Sequence, residues 1–578
     1  MSRHEFRSRR AFLQAAAATA ACGGISSLAP QFSMLGTALA QSSVTGYKAL
    51  VCLNLGGGSD SFNMLIPIQP DRHREYLIAR GGTEADPLSG QFSGNAQRLG
   101  IPRPGTEVPG STLPPALPIA GGTHGLNPAC PELRDLYDQG RLVFMNNVGP
   151  LVDPVSRATF NSGRSRPPQL YSHSDQTVLW EVGDSLNSGL RTGWGGMLAG
   201  TIGAQNDVPG LPPCITIAGQ SRFLVGRTSG ASSQPIVPYR LSTSASSPAP
   251  TLGNYSSSNT GNLENVRRAN LEALLAATYP HVMSGEFADL SERALDLGAR
   301  VNQRIGSGGA FNAIPGGVLF PNTGIGNQLA QVVRMINAGR TATASGGIGA
   351  NRQVFFVSTG GYDTHDGQFN GSSRGGVAQG PANGPNAAGF WGGQQGLLQD
   401  ISQAVSAFYR ALVAMGAHNE VLLFSTSEFG RTINSNGNGT DHGWGGVQFV
   451  LGGGQGTPTG TINGQAIGAN DVGGGPLRGR NPQTGSGSGM YGRYPRIVLN
   501  ATDSAAIPLE EKGECFSRGQ FLPTLSSEQV SASLARWMGL DAGNVGTLFP
   551  NVGRYDDFVG NGNLMAYTTP TVPFIVGV

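Results

Sequence analysis

Short runs of apolar residues recur along the chain without polar alternation. Strands that helices cover on both faces have this pattern, because neither side of such a strand meets water. The runs that predict buried strands are residues 49–55, 142–148, 214–218, 354–359, 421–426 and 447–451.

Helical periodicity fills the segments between these runs. The clearest helix is predicted over 397–415, where apolar residues recur at spacings of three and four and Gly416 supplies a stop. Its apolar stripe consists of Leu398, Ile401, Val405, Phe408 and Leu412. Other helical patterns cover 132–139, 328–338, 526–538 and the longer, more charged region 263–305. Helices that alternate with apolar strands predict an α/β fold, a three-layer sandwich around a mostly parallel central sheet.

Composition adds long loops to this picture. Glycine accounts for 89 of the 578 residues, and only 13% of the residues are charged. Four segments are rich in glycine, serine, proline and asparagine and show no fixed repeat: 81–125, 229–262, 366–396 and 452–492. We interpret these segments as loop insertions on the surface of one domain.

The N-terminal sequence has the features of an export signal. Arg9 and Arg10 stand one residue before Phe12-Leu13, and an alanine-rich stretch over 15–21 follows. Ala38-Leu39-Ala40 then places small residues at the two positions that a signal peptidase reads. This pattern indicates a twin-arginine signal.

We therefore predict a twin-arginine signal peptide over 1–40 and a single domain over 41–578. The twin-arginine translocase is the expected partner during export, and the mature protein is expected in the periplasm or outside the cell. An ordinary amphipathic N-terminal helix and a lipoprotein site at Cys22 are the alternatives.

The charge of the full chain and the hydropathy beyond the predicted signal favour neither nucleic-acid binding nor a membrane span. Lys and Arg number 38 against 36 Asp and Glu, and no basic run occurs, so nothing favours nucleic acid. No stretch reaches the roughly 20 apolar residues that a membrane-spanning helix needs, so no span is expected.

Four cysteines follow the predicted cleavage point: Cys52, Cys130, Cys214 and Cys515. They show no CxxC spacing, so a zinc finger is not predicted. Either one or two disulfides or buried thiols would fit an exported protein.

Polar residues that suit catalysis follow the predicted strands. The first strand leads into Gly56-Gly57-Gly58-Ser59-Asp60, and the fourth leads into Asp363 and His365. In an α/β sheet, ligands gather beyond the carboxyl ends of the strands, which is where both segments should lie. A phosphate-binding glycine loop is the competing interpretation of the first segment. A turn-forming Asp and a surface His are the competing interpretation of the second.

The fifth strand is followed by the richest set, which is Glu428, Arg431, Asp441 and His442. Carboxylates together with imidazoles suit Zn, Mn or Fe more than Mg or Ca. A guanidinium nearby suits a phosphate or sulfate oxyanion. A local ion pair between Glu428 and Arg431 and a loop-capping Asp441 are the alternatives.

In their order along the chain, these segments resemble the bacterial domain-of-unknown-function 1501 family, whose members are typically exported by the twin-arginine pathway. The main matching segments are Gly56-Gly57-Gly58-Ser59-Asp60, Gly361-Tyr362-Asp363-Thr364-His365 with Gln368, Ser427-Glu428-Phe429-Gly430-Arg431-Thr432 and Gly439-Thr440-Asp441-His442-Gly443. Weaker matches are Leu126-Asn127-Pro128-Ala129, Ser172-His173-Ser174-Asp175-Gln176 and Ala535-Arg536-Trp537-Met538-Gly539.

That family in turn resembles the alkaline phosphatase and sulfatase superfamily. The resemblance implies an alkaline-phosphatase-like α/β core with one or two divalent metal ions. The metal ligands that it implies are Asp60, Asp363, His365, Glu428 and His442, with Asp441 as a substitute for a histidine that is missing where Phe429 stands.

The resemblance leaves the nucleophile unassigned, because no Ser, Thr or Cys stands in the sulfatase motif. Ser172 is the best candidate nucleophile, His173 is a candidate ligand or base, and Arg431 is expected to hold the oxyanion. The leading hypothesis is an exported metal-dependent hydrolase of a small phosphate or sulfate ester. The alternative is a noncatalytic binding or scaffold protein, which a closed ligand shell would favour.

Overall fold

The computed structural model describes residues 46–83, 85–87, 99–107, 113–157, 160–161, 165–204, 207–208, 210–229, 233–249, 263–368, 373–374, 377–378, 387, 389, 391–497, 515–516, 518–555, 567 and 569–578. The predicted signal peptide over 1–40, with Cys22, lies outside the described residues.

A nine-stranded sheet forms the centre of the molecule. Its strands are β1 (Lys48–Leu55), β5 (Leu142–Gly149), β6 (Cys214–Thr216), β9 (Tyr239–Arg240), β10 (Arg352–Thr359), β13 (Val421–Thr426), β16 (Gly446–Leu451), β19 (Met490–Tyr491) and β20 (Leu525–Ser526). Their spatial order is β19-β5-β16-β13-β1-β10-β6-β9, and β20 also pairs with β5. All six predicted strands therefore belong to one sheet.

The shorter strands form small sheets at the periphery. They are β2 (Leu65–Pro67), β3 (Leu117–Pro118), β4 (His124–Leu126), β7 (Gly226–Arg227), β8 (Pro235–Ile236), β11 (Ser373–Arg374), β12 (Val377–Ala378), β14 (Arg431–Ser435), β15 (Thr440–His442), β17 (Thr461–Ile462) and β18 (Gln465–Ala466).

Ten α-helices occur among the described residues. They are α1 (Pro70–Ala79), α2 (Pro131–Asp138), α3 (His173–Val182), α4 (Trp194–Thr201), α5 (Leu263–Leu275), α6 (Val282–Ile305), α7 (Gly324–Arg340), α8 (Gly393–Ala414), α9 (Ser527–Met538) and α10 (Val545–Leu548). The prediction of an α/β protein is confirmed.

The central sheet is mixed, which corrects the prediction of a mostly parallel sheet. β1 runs parallel to β10 and β13, but β16 runs antiparallel to both β13 and β5. A parallel return needs a crossover of a dozen or more residues, usually a helix. Between β13 and β16 the chain forms only the β14–β15 hairpin, so β16 starts at the edge where β13 ends.

Helices cover both faces of the sheet. Along β1, Ala49, Val51 and Leu53 belong to a core that includes side chains of α2, α7 and α8. The alternate residues Leu50 and Cys52 belong to a second core, with side chains of α4 and α9. Successive side chains of a strand point to opposite faces, so this division places the central strand between two helical layers.

The predicted helices agree closely with the structure. The pattern over 397–415 corresponds to α8, and Gly416 adopts a positive φ of 68° directly after it. The pattern over 526–538 corresponds to α9, where Ser526 and Gln529 form a capping box. The helical region over 263–305 is divided into α5 and α6, with Pro280 in the connection, because proline removes a backbone donor from a helix interior.

The four described cysteines are buried and carry free thiols. Among the described residues, no helix combines the length and the apolar character that a bilayer crossing requires.

Candidate metal centre

Three loops meet at one edge of the central sheet. The register pairs Leu55 of β1 with Thr359 of β10, and Asn54 with Thr426 of β13, so these parallel strands end side by side. The polar segments that follow them therefore lie together. This is the edge at which α/β proteins usually bind ligands.

The β14–β15 hairpin returns a fourth segment to this edge. Its register pairs Arg431 with His442, which places His442 beside the loop that follows β13. The N-terminus of α3 supplies a fifth segment, because His173 Nδ1 lies 2.8 Å from Glu428 Oε1.

The imidazoles of His173, His365 and His442 converge on the carboxylate of Asp363. Their Nε2 atoms lie 3.4, 3.4 and 3.5 Å from an Asp363 oxygen, respectively. The Nε2 atoms of His365 and His442 are 2.7 Å apart. Ligand atoms of His173, Asp363 and His442 all lie within 4.8 Å of one another.

The other ring nitrogen of each histidine faces an oxygen that can only accept a hydrogen bond. His173 Nδ1 faces Glu428 Oε1, as above, and His365 Nδ1 lies 3.1 Å from Asp441 Oδ1. His442 Nδ1 lies 2.7 Å from the carbonyl oxygen of Tyr171. Each Nδ1 therefore carries a proton, and in a neutral ring the Nε2 lone pair is then directed at the neighbouring rings and at Asp363.

Such a set of lone pairs and a carboxylate repel one another unless a cation lies between them. Histidine ligands that donate their second ring nitrogen to a carboxylate or a carbonyl are typical of metal centres. Ligand atoms bound tetrahedrally at about 2.0–2.1 Å from a zinc ion lie roughly 3.3–3.5 Å apart, close to the separations around Asp363. The donor set therefore fits a divalent ion of the Zn, Mn or Fe type.

The centre is open to solvent. The side chains of His173, Asp363 and His365 are 38%, 47% and 44% exposed, whereas that of His442 is 21% exposed. Phe429 packs against the rings of His173 and His442, with centroid distances of 4.9 and 4.5 Å. One side of the histidine cluster is therefore apolar, and the other side faces water.

Arg431 lies beneath Asp363 and is fully buried. Its Nε donates to Gly58 O at 2.8 Å, its Nη1 to Thr440 O at 2.6 Å and its Nη2 to Gly57 O at 2.7 Å. Nη2 also donates to Asp363 Oδ1. In this structure the guanidinium contacts the backbone and Asp363, an arrangement that suits the positioning of Asp363. Its predicted contact with an oxyanion stays a prediction.

The charges around the centre shift several pKa values. Burial alone would raise the pKa of Asp363, but the hydrogen bond and charge of Arg431 lower it overall, with His173 and His365 contributing. Burial lowers the pKa of His442, and Arg431 and the other two histidines lower it further. At neutral pH the structure thus favours an ionised Asp363 and a neutral His442, the states that bind a metal.

Asp441 and Glu428 support the histidines. Burial would raise the pKa of Asp441, but hydrogen bonds from Asn436 and His365 lower it overall. Glu428 Oε1 also accepts a hydrogen bond from Gly57 N at 2.8 Å, so the first glycine-rich loop holds the carboxylate that orients His173. Both carboxylates act through the imidazoles that they contact.

The structure does not bring Asp60 into the cluster. Asp60 is fully buried, its Oδ1 accepts from Arg80 Nη2 at 2.7 Å, and its Oδ2 accepts from Gln368 Nε2 at 3.0 Å. Both carboxylate oxygens thus have partners in the interior. The ion pair with Arg80 thus gives Asp60 a structural role in the interior, separate from the histidine cluster.

Ser172 caps α3 and lies next to the centre in the chain. Its hydroxyl donates to Asp175 Oδ2 at 2.6 Å and serves as the N-cap of the helix. Gln169 and Tyr171 adopt positive φ angles of 50° and 72°, which cost non-glycine residues roughly 1 kcal/mol or more. This backbone aims the Tyr171 carbonyl at His442, a contact for which the sequence carries no signal.

The glycines of the first loop are required by close approach. Gly57 has φ 119°, and a Cβ there would lie 2.3 Å from Asp363 N. A Cβ on Gly58, which has φ 79°, would lie 2.2 Å from the ring of Phe429. The loop packs directly under the histidine cluster, which favours this explanation over a phosphate-binding glycine loop.

Fold and site together define an α/β protein with a solvent-exposed histidine and aspartate centre at the end of its parallel strands. Residues 321–474 match the model of a family described as protein of unknown function (DUF1501), which supports the resemblance drawn from the sequence. No curated protein and no solved structure matches the chain.

Proposed function

We propose that this protein is a metal-dependent hydrolase of a phosphate or sulfate ester. A single observation carries the proposal, namely the convergence of three imidazole Nε2 atoms on the carboxylate of Asp363 at an open edge of the sheet. In the proposal, His173, Asp363, His365 and His442 hold a divalent ion.

The exposure of the centre favours an enzyme over a scaffold with a structural metal. Structural zinc sites are closed to solvent, whereas catalytic sites leave a position for water or substrate, sometimes by expanding to five ligands. Three of the four proposed ligands are more than a third exposed. An ester could therefore approach the ion from the solvent side, opposite Phe429.

Each surrounding residue has a role in the proposed chemistry. A bound ion would polarise an ester oxygen and lower the pKa of a bound water. Glu428, Asp441 and the Tyr171 carbonyl hold the three imidazoles with Nε2 facing inward. Arg431 fixes Asp363, and Phe429 excludes water from one side of the rings.

The substrate class and the location depend on the sequence resemblance. The resemblance to the alkaline phosphatase and sulfatase superfamily supports a small anionic ester as substrate. Arg9 and Arg10 support export by the twin-arginine translocase to the periplasm or beyond, a route that carries folded proteins and allows a metal to be bound before export.

Elemental analysis of the purified protein tests the metal. We expect one or two equivalents of a transition metal in the wild-type protein and loss of the metal in a His365→Ala, His442→Ala double variant. His281→Ala is the matched control, because His281 is exposed in the connection between α5 and α6. A wild-type protein without metal that unfolds like the double variant would contradict the proposal.

Hydrolysis of aryl phosphates and aryl sulfates tests the reaction. We expect turnover that needs the metal, that a chelator abolishes and that His281→Ala retains. Retention of the metal without turnover of either ester class would support the noncatalytic scaffold instead.

A further inference from the structure

Helices α5 and α6 carry a surface that the proposed hydrolase does not use. The C-terminal half of α6 is anchored in the core by Leu297, Val301 and Ile305. The N-terminal half of α6 and the described side chains of α5 lie outside that core, and the two helices contact each other. Contacting helices with a short connection run antiparallel, so this part of the chain forms a helical hairpin.

Each helix of the hairpin exposes an apolar stripe. On α5 the stripe is Leu263, Val266, Asn270 and Leu274, at spacings of three, four and four. On α6 it is Met283, Phe287, Leu290 and Ala294, at spacings of four, three and four. The six large apolar side chains are each between 47% and 71% exposed.

The two stripes lie on the same side of the hairpin. The more buried positions of α5 include Leu271 and Leu275, and those of α6 include Ala288 and Ser291. With 100° of rotation per residue, the centre of each stripe lies about a third of a turn around the helix axis from these more buried positions, in the same sense on both helices. Because the helices run antiparallel, the two rotations bring both stripes to one face.

This face is large enough for a protein–protein interface. At roughly 100 Å² for each exposed side chain, six side chains present on the order of 600 Å² of apolar surface. Monomeric proteins rarely expose a larger patch than this. A standard interface contributes about 800 Å² per partner, of which somewhat more than half is apolar.

The pattern of the stripes favours another pair of helices as the occupant. Spacings of three and four residues, which both stripes show, are typical of helices that pack along their length. A single asparagine within such a seam fixes register and partner number, and Asn270 occupies this position on α5. The charged residues beside the stripes have both signs, with Arg267 on α5 and Glu286 and Arg293 on α6. Helices that lie on membranes instead carry mainly lysine and arginine beside their apolar face.

We propose that a second copy of this chain covers the face, so that two hairpins form a four-helix dimer interface. Two-fold dimers are the commonest protein oligomers, and they pair the same surface patch from both copies. The hairpin is built for this arrangement, because its two stripes form one face that can be self-complementary.

Sedimentation velocity of the full-length chain over a wide concentration range tests the dimer. We expect a reversible dimer in the wild-type protein and a dissociation constant at least about 100-fold higher in a Phe287→Glu, Leu290→Glu variant. Leu319→Glu is the matched control, since Leu319 is 86% exposed on a different segment and should leave the dimer unchanged. At concentrations where all three proteins are monomeric, they should have the same metal content and the same unfolding curve, because the altered side chains are exposed.

Asn270→Leu provides a second variant, which should tighten association and produce species larger than a dimer as register control is lost. A wild-type protein that stays monomeric at every concentration overturns the proposal, as does a dimer that the double glutamate variant does not weaken. Monomeric protein that binds anionic vesicles through this face would also overturn it, in favour of a membrane surface.

Discussion

At the scale of single residues, Arg431 determines how the centre is held. Its guanidinium bonds three backbone carbonyls from two loops, and it also bonds Asp363. The planar fork of arginine can reach several acceptors at once, whereas a lysine ammonium is a single point.

Arg431→Lys should therefore lower metal affinity by roughly 10- to 100-fold, as is usual when the partner of a metal ligand is lost. It should also destabilise the protein, because buried carbonyls lose their donors. Competition with a chelating dye measures the affinity, and Arg554→Lys, at an exposed site, is the control. An unchanged affinity would refute the positioning role.

Asp60 allows a second test at the same scale. Arg80 is fully buried, and its Nε and Nη1 have no hydrogen-bond partner among the described residues. The carboxylate of Asp60 is therefore the main group that balances the buried charge of Arg80. Removing one member of a buried ion pair typically costs about 3–5 kcal/mol.

Asp60→Asn should thus destabilise the protein by about that amount and leave the metal content unchanged. Urea unfolding and elemental analysis of the same sample measure both effects. Loss of metal with little change in stability would instead make Asp60 a ligand, as the superfamily resemblance implies.

At the scale of elements, the start of α9 contains a carboxyl group with an unusual pKa. Glu528 accepts hydrogen bonds from Ser185 N at 2.8 Å and from Asn551 N at 3.1 Å. Burial nevertheless raises the pKa of Glu528 to about 7, because a buried charge loses its hydration. The folded protein therefore holds this proton more tightly than the unfolded chain does.

The sign of the pH dependence follows from this raised pKa. Between about pH 4.5 and pH 7 the folded state binds more protons, so Glu528 should reduce the free energy of unfolding by about 3 kcal/mol as pH rises. Glu528→Gln cannot titrate, and its unfolding free energy should fall less over this range. Urea unfolding at pH 5 and pH 7.5 measures the difference between the two proteins. Equal pH dependence in both would show that Glu528 does not keep its proton in the fold.

At the scale of the whole molecule, the metal should link distant segments of the chain. His173 and His442 come from segments that the sequence separates by more than 250 residues, and the ion would join them across the sheet edge. A ligand that binds only the folded state stabilises it by about 2.7 kcal/mol at a concentration 100 times its dissociation constant.

Removal of the metal should accordingly lower the melting temperature of the wild-type protein, and addition of the metal should restore it. The His365→Ala, His442→Ala variant should melt at one temperature with or without metal. Calorimetry measures the change in melting temperature that the metal causes. A change of equal size in the double variant would show that the metal binds outside the histidine cluster.

Much of the fold was predictable because its signals are local. The apolar run of β1 and the stripe of α8 bury their side chains by strand or helix periodicity, which neighbouring residues determine. The antiparallel β16 was not predictable in the same way. Its direction depends on the hairpin that precedes it, and apolar runs carry no information about strand direction.

The site was predictable only where its residues follow strands. Asp363, His365 and His442 stand beside strand ends in the sequence, and the parallel register then brings them together. Tyr171 contributes only a carbonyl, which any residue could supply, so no residue type marks its role. Asp60 also follows a strand, as Asp363 does, but its carboxylate forms an ion pair with the buried Arg80.

The sequence by itself therefore determined the elements, the residue types at the sheet edge and the glycines that permit close approach, since these depend on neighbours along the chain. Only the tertiary structure decided which carboxylate meets the histidines, which nitrogen of each ring faces inward and where Arg431 points. Those choices depend on contacts between segments hundreds of residues apart, such as His173 with Glu428, which local sequence cannot encode.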